Sequence, residues 1–170
     1  MQAHQLTVVA FSLGVALAFG TPAQAADLPQ TGSIKIHSGW KAVGDTVQVG
    51  EKHVLGTGNF WGVTFNDAGS GPLHNGAAIC SYTLELMNGS GTVQGSCAWS
   101  DNDGDKFFVD YTGNIAASGE FGGPNKITGG MGKFKGIQGQ GGFRCTTLND
   151  KNQYGCTQHF EYSLTGSANK

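Results

Sequence analysis

From residue 32 onward, apolar and polar side chains alternate with period two, and clusters of Gly, Asn and Asp interrupt the alternation. The pattern predicts β-strands over 33–40, 53–65, 78–87, 92–99, 106–113, 127–129, 137–147 and 153–166. No stretch has the period of a long amphipathic helix, although 131–136 has room for a single helical turn. Asn88-Gly89 is the strongest hairpin signal, a two-residue type I′ turn. Such a turn pairs Met87 with Ser90 and, counting outward, Leu86 with Gly91, Leu84 with Val93, Tyr82 with Gly95 and Cys80 with Cys97. One face then carries Ala78, Cys80, Tyr82, Leu84, Leu86, Val93, Cys97 and Trp99, while Ser81, Thr83, Glu85, Thr92, Gln94 and Ser96 take the other. The next strand adds Phe107, Val109 and Tyr111 to the apolar face. The C-terminal hairpin adds Ile137, Phe143, Cys145, Cys156, Phe160, Tyr162 and Leu164. About eight hairpin-linked strands with one dry face define an all-β, mostly antiparallel closed barrel or a sandwich.

The N-terminus breaks this pattern. Leu6 to Gly20 is an apolar and small run ending at Thr21-Pro22, and Ala23-Gln24-Ala25 supplies an A-x-A cleavage site. The expectation is a signal peptide at 1–25 and a single domain at 26–170, exported to a periplasm or secreted. The n-region has no Lys or Arg, but the apolar run is shorter than the roughly 20 residues that span a bilayer. No later stretch could span a membrane.

Export changes the meaning of the cysteines. Cys80, Cys97, Cys145 and Cys156 form an even set in an oxidising compartment, which reads as two disulfides. The Asn88-Gly89 register sets Cys80 opposite Cys97 at a non-hydrogen-bonded position, where Cα atoms are closest. A second turn at Asp150-Lys151 would set Cys145 opposite Cys156 in the same way. The spacings contain no C-x-x-C unit of a zinc site. Net charge is −2 with scattered charges, which disfavours nucleic acid and anionic membrane surfaces as partners. The 29 glycines have no collagen repeat and suit a tightly curved sheet.

Candidate chemistry is sparse. The aromatic dry face either fills the barrel or lines a cavity for an apolar ligand, with Tyr82, Trp99, Phe107, Tyr111, Phe143, Phe160 and Tyr162 as lining candidates. Asp101, Asp103 and Asp105 alternate like the start of a calcium loop. The pattern then fails, because Lys106 stands at its sixth position and Thr112 at its twelfth. A hairpin loop with Gly104 at positive φ explains the segment, and no metal is expected. The loop at 66–76 is the longest connection, and its Asp67 and His74 are acid–base candidates together with Glu85. His37, His53 and His159 lie on separate strands without ligand spacing. Arg144, His159 and Glu161 share a polar face, read as the outside of the sheet. No nucleophile elbow, phosphate loop, zincin or thioredoxin-like motif occurs, and no cofactor is implied.

The stretch Ile127-Thr-Gly-Gly-Met-Gly-Lys-Phe-Lys-Gly-Ile-Gln-Gly-Gln-Gly141 resembles the glycine signature of allene oxide cyclase and dirigent-type β-barrels. The Trp99 to Phe107 loop, Phe65-Asn-Asp and Leu73-His-Asn75 resemble exported bacterial proteins with such a barrel. The resemblance covers most of 33–166 and implies an eight-stranded antiparallel barrel with Phe134 pointing inward from a helical turn. Plant members are cofactor-free and oligomeric and guide a reactive hydrophobic intermediate. No motif carries their catalytic residues onto positions here, and the two disulfides depart from the plant cyclases. The leading functional expectation is a small exported barrel that binds a small apolar or aromatic molecule or serves a structural role. The alternatives are a cofactor-free isomerase, cyclase or dirigent-like enzyme, and a secreted interaction module; each is compatible with a homo-oligomer.

Overall fold

The structure, a computed structural model, describes residues 28–149 and 151–165. The expected signal peptide, Asp150 of the second expected turn and the strand end at Gly166 lie outside the described residues. The described chain is an all-β closed barrel of eight antiparallel strands in sequential order. These are β1 (Thr31–Gly50), β2 (His53–Asn66), β3 (Gly76–Met87), β4 (Ser90–Ser100), β5 (Lys106–Ile115), β6 (Phe121–Met131), β7 (Ile137–Asn149) and β8 (Gln153–Leu164). Pairing of β1 with β8, from Thr31–Ser163 to Lys41–Gln153, closes the cylinder. No helix among the described residues is long and apolar enough to cross a membrane.

The Asn88-Gly89 turn sets the expected register. Both residues have positive φ (55° and 81°), and Met87–Ser90, Leu84–Val93 and Cys80–Cys97 are paired. The ladder skips the Tyr82–Gly95 rung, where the Tyr111 hydroxyl donates to the Ser81 carbonyl at 3.0 Å. Both expected disulfides are present, Cys80–Cys97 and Cys145–Cys156. The second hairpin reaches its register by another route. Asn149 pairs with Gln153, one residue beyond a two-residue turn, and a bulge between Thr147 and Asn149 restores Cys145 opposite Cys156.

Two strands are longer than the alternation predicts. β1 runs ten residues past Trp40, because Gly44, Asp45 and Gly50 read as turn residues yet stand in a two-stranded extension paired with β2. β6 begins at Phe121, where Gly122-Gly123-Pro124 also reads as a turn. Pro124 pairs with Gly142 of β7, and it sits where the β5–β6 ladder is interrupted, so its missing N–H breaks no rung there.

β2 also inverts the usual pattern. Its inward positions include Gly56, Gly58 and Gly62, whereas Trp61 and Val63 face solvent with 56% and 54% exposure. A Cβ on Gly62 would collide with the Trp40 ring, so glycine there makes room for an indole.

The interior has two unlike halves. At one end Phe107, Phe134 and Phe160 are completely buried, with ring centroids 5.1–5.2 Å apart, and Ile34, Ile36, Leu73 and Ile137 surround them. Each such side chain is worth about 1.5–3 kcal/mol of burial. Two connections plug this end. The turn Gly132–Phe134 inserts Phe134, as the glycine motif implies, and Gly132 takes positive φ (64°). The loop at 67–75 inserts Leu73, whose carbonyl accepts from the Thr64 hydroxyl at 2.7 Å. At the other end Phe60, Phe121, Phe143 and Tyr154 are only partly buried.

Candidate functional site

The partly packed end contains a partly open space of about 50 Å³. Its walls come from every strand except β2's glycine positions. Trp40, Phe60, Trp99, Tyr111, Phe143 and Tyr154 contribute rings, and all four cystine cysteines contribute sulfur-bearing walls. The period-two rule explains the convergence, since each of these residues occupies an inward strand position. Phe60 is the hub of the mouth, with ring centroids 4.7 Å from Tyr82, 5.8 Å from Tyr154 and 6.0 Å from Phe121.

The cavity has few polar groups. Asn125 and Gln158 line it and are 5% and 6% exposed. Gln158 is tied into a chain: the Trp40 indole N–H donates to the Ser38 hydroxyl at 2.6 Å, and that hydroxyl donates to Gln158 Oε1 at 2.9 Å. The Trp99 indole N–H and the Asn125 side-chain carbonyl are buried without hydrogen-bond partners among the described residues. One donor and one acceptor are therefore left unpaired, at a cost of roughly 1–3 kcal/mol each.

The phenols are all held neutral. Burial, with help from Tyr82, pushes Tyr111 far above the ordinary tyrosine value. Burial also raises Tyr154, and it raises Tyr82 together with Tyr154 and Asp45. Among the described residues, no carboxylate, histidine or lysine lines the space. The arrangement can shape and hydrogen-bond an apolar guest, and the described walls contain no group that titrates near neutrality.

The sequence-derived lining set divides three ways. Trp99, Tyr111 and Phe143 line the cavity. Phe107 and Phe160 stand in the dry plug with no exposure, away from the cavity wall. Tyr82 packs on Phe60 at the mouth, and Tyr162 is buried beside Gly32, where a Cβ would meet its ring. The pattern missed Trp40, Phe60, Phe121, Asn125, Tyr154 and Gln158. Tyr154 and Gln158 were legible, because they share parity with Cys156. Phe60 was hidden among inward glycines, and Phe121 and Asn125 by the Gly-Gly-Pro segment between them.

Of the acid–base candidates, Asp67 and Glu85 lie on the outside, whereas His74 is half-buried, its Nδ1 covered and without a hydrogen-bond partner among the described residues. The Asp67 carboxylate accepts from His37 Nδ1 at 2.8 Å, and the two side chains are 49% and 61% exposed respectively. It makes no contact of that kind with His74, which packs edge-on against Phe65 at 6.4 Å. Glu85 is an outward residue of β3 and pairs with His53 at 2.8 Å. Arg144, His159 and Glu161 likewise stand on the exposed face of β7 and β8.

The aspartate loop is occupied by a lysine. Lys133 Nζ lies 2.9 Å from Asp101 and 2.7 Å from Asp103. Burial works against the Lys133 ammonium, but hydrogen bonds to Asp103 and Asp101 outweigh it and raise its pKa. Asp101, almost fully buried, also accepts from the Leu73 N–H at 3.3 Å. These residues join the two plugging connections. Asp105 lies against Gly132 instead of joining the pair.

Among solved structures, the chain is similar to that of the pterocarpan synthase dirigent protein. The identity is 13%, the match covers 82% of this chain and 88% of that one, and the TM-score is 0.50. At that identity the likeness shows the fold alone, a dirigent-type β-barrel. No family model matches the chain, and no curated protein does.

Proposed function

We propose that this protein is an exported, dirigent-like barrel that takes a small apolar or aromatic molecule into its partly packed end and guides a cofactor-free isomerisation or cyclisation there. The observation that carries the reading is the aromatic mouth of Phe60, Phe121, Phe143 and Tyr154 above a space lined by Trp99 and Asn125, whose indole N–H and amide carbonyl are buried and unpaired among the described residues. Steering is by shape and neutral hydrogen bonds, because among the described residues the walls hold no group that ionises near neutral pH. The shared fold with a dirigent protein supports this reading, and the two disulfides support an oxidising compartment. A space of about 50 Å³ is well below the roughly 300–1,000 Å³ of drug-sized pockets, so the half-buried mouth rings must part for the guest. The small volume also favours a second reading, a barrel that holds a guest or serves a structural role without reaction.

Two of the three tryptophans, Trp40 and Trp99, line the space, and Trp61 lies outside. In a Trp61→Phe background, titration with small aromatic probes such as phenols and indoles should give a saturable change in tryptophan emission. Asn125→Leu should weaken that response for probes bearing a donor. Chromatography of bound, reactive substrates with and without protein separates the two readings: an altered product distribution supports guidance, and binding without it supports holding. No saturable response, together with no co-purifying molecule in native mass spectra of the exported protein, would sink both ligand readings.

A further inference from the structure

Three places in the chain set an Asn or Asp directly before a glycine: Asn75-Gly76, Asn88-Gly89 and Asp103-Gly104. In such a pair the side-chain carbonyl carbon is within reach of the glycine nitrogen, and glycine lacks the Cβ that would obstruct the approach. The structure separates the three. Gly76 is buried in the first rung of β3 against Thr64, and a Cβ there would lie 2.6 Å from the Ser100 carbonyl, so its backbone has little room to turn. Asp103 is held by Lys133 at 2.7 Å, and the Gly104 N–H donates to the Asp101 carbonyl at 3.0 Å. Asn88 and Gly89 are both exposed, and a Cβ on Gly89 would meet nothing within 4 Å. Among the described residues, neither the Gly89 N–H nor the Asn88 side-chain amide has a hydrogen-bond partner. The turn is tied to the neighbouring hairpin by the Asn88 N–H, which donates to the Lys52 carbonyl at 2.9 Å.

We infer that Asn88 is a site of self-modification, at which the chain converts its own amide to aspartate and isoaspartate. The Gly89 nitrogen gives its proton to water and attacks Asn88 Cγ. The side-chain nitrogen takes up a proton and leaves as ammonia, and a five-membered succinimide remains. Water then opens the ring at either carbonyl, so the net change is one water consumed and one ammonia released. Ring closure draws the Gly89 nitrogen toward the Asn88 side chain, which requires the type I′ turn to open locally. A hairpin tip is the part of a sheet that opens at least cost. The isoaspartate product carries the main chain through the former side chain, which adds a methylene to the turn that sets the β3–β4 register. It also places a negative charge on an uncharged tip. The Cys80–Cys97 disulfide fixes the hairpin below, so the disturbance is confined to the rungs between tip and staple, Leu84–Val93 and Leu86–Gly91 among them. Tyr82 and Leu84 lie on this stretch, so the change softens the wall beside the mouth.

The test is incubation of the oxidised, exported protein in warm, mildly alkaline buffer, followed by peptide mapping with mass detection and labelling by an isoaspartyl-specific methyltransferase. Conversion is expected at Asn88 about tenfold or more ahead of Asn75, because Gly76 must first be freed from the ladder. Asn88→Gly keeps a turn of the same type and should abolish the methyl label on that peptide. In the aged protein, amide exchange should quicken between Thr83 and Gln94 and stay unchanged around Phe134. A freshly prepared Asn88→Asp variant, which adds the charge without lengthening the main chain, should keep the slow exchange of the unaged chain. Conversion at Asn75 as fast as at Asn88, or an Asn88 that stays intact while a free peptide spanning Leu84–Val93 converts, would overturn the inference. Unchanged exchange between Thr83 and Gln94 in fully converted protein would overturn the effect assigned to it.

Discussion

The two ends of the barrel are held by different means. The plugged end is dry: Phe107, Phe134 and Phe160 interlock, and two connections drop Leu73 and Phe134 into the axis. The other end is incompletely filled, and both disulfides lie in its cavity wall. Close packing supplies cohesion at one end, and covalent constraint supplies it where packing stops short. An end that must admit a guest cannot be packed to crystal density, and stapling its hairpins is a way to keep it shaped while it remains penetrable.

The contrast breaks most sharply at single phenylalanines. Phe107→Ala should cost about 3–5 kcal/mol, because it opens a cavity in the plug that neighbouring rings cannot close. Phe121→Ala, at the half-buried mouth, should cost well under half as much and should widen the cavity. Chemical denaturation of both variants measures the difference; equal losses would dissolve the distinction between the ends. Next in size are the staples. Reducing both disulfides should lower the melting temperature clearly, each bridge being worth about 2–4 kcal/mol. It should also speed amide exchange in β3, β4, β7 and β8 more than around Phe134. An unchanged melting curve with complete reduction confirmed would contradict this assignment of roles.

The smallest effect is alkaline. Tyr82, Tyr111, Tyr154 and Tyr162 all have pKa values raised by burial above the ordinary 10.0. Above that pH the unfolded chain releases phenolic protons that the native barrel keeps, so stability falls as pH rises. Lys133 acts in the same direction: its raised pKa contributes stability that is present below about 10.5 and lost as pH rises through the folded value. Three of the four tyrosines belong to the mouth and its wall, so alkaline loosening should begin there. Ultraviolet phenolate titration against pH, compared with the unfolding midpoint, checks it.

Much of this fold was written in local signals. One Asn-Gly turn fixed the register of β3 and β4 down to a sulfur pair, because a two-residue hairpin leaves no freedom of slip. The glycine motif announced the inward Phe134. The site was less legible. Alternation says which side chains point inward, and it cannot say how far along the axis the filling reaches. Phe107 and Tyr111 have the same parity on the same strand, yet one is plug and the other is cavity wall. β2 concealed Phe60 because its inward neighbours are glycines, whose purpose is set by the Trp40 and Tyr82 rings on other strands. The aspartates at 101 and 103 looked like metal ligands because Lys133, their true partner, is thirty positions away at the opposite side of a tertiary contact.

Both disulfides join neighbours in sequence, β3 to β4 and β7 to β8, while the seam between β1 and β8 has no covalent tie. The cylinder therefore behaves as a sheet rolled up and fastened along one line by hydrogen bonds and the side chains beneath them. Tension applied across Thr31 and Leu164 acts on that line rung by rung, as on a zip, rather than on all rungs at once. The barrel is thus mechanically soft along one stripe and stiff elsewhere. Gln158 stands behind the middle of that stripe, opposite Ile36, and Trp40 and Tyr154 behind its far end, so the cavity wall is reached only after the rungs before them have opened.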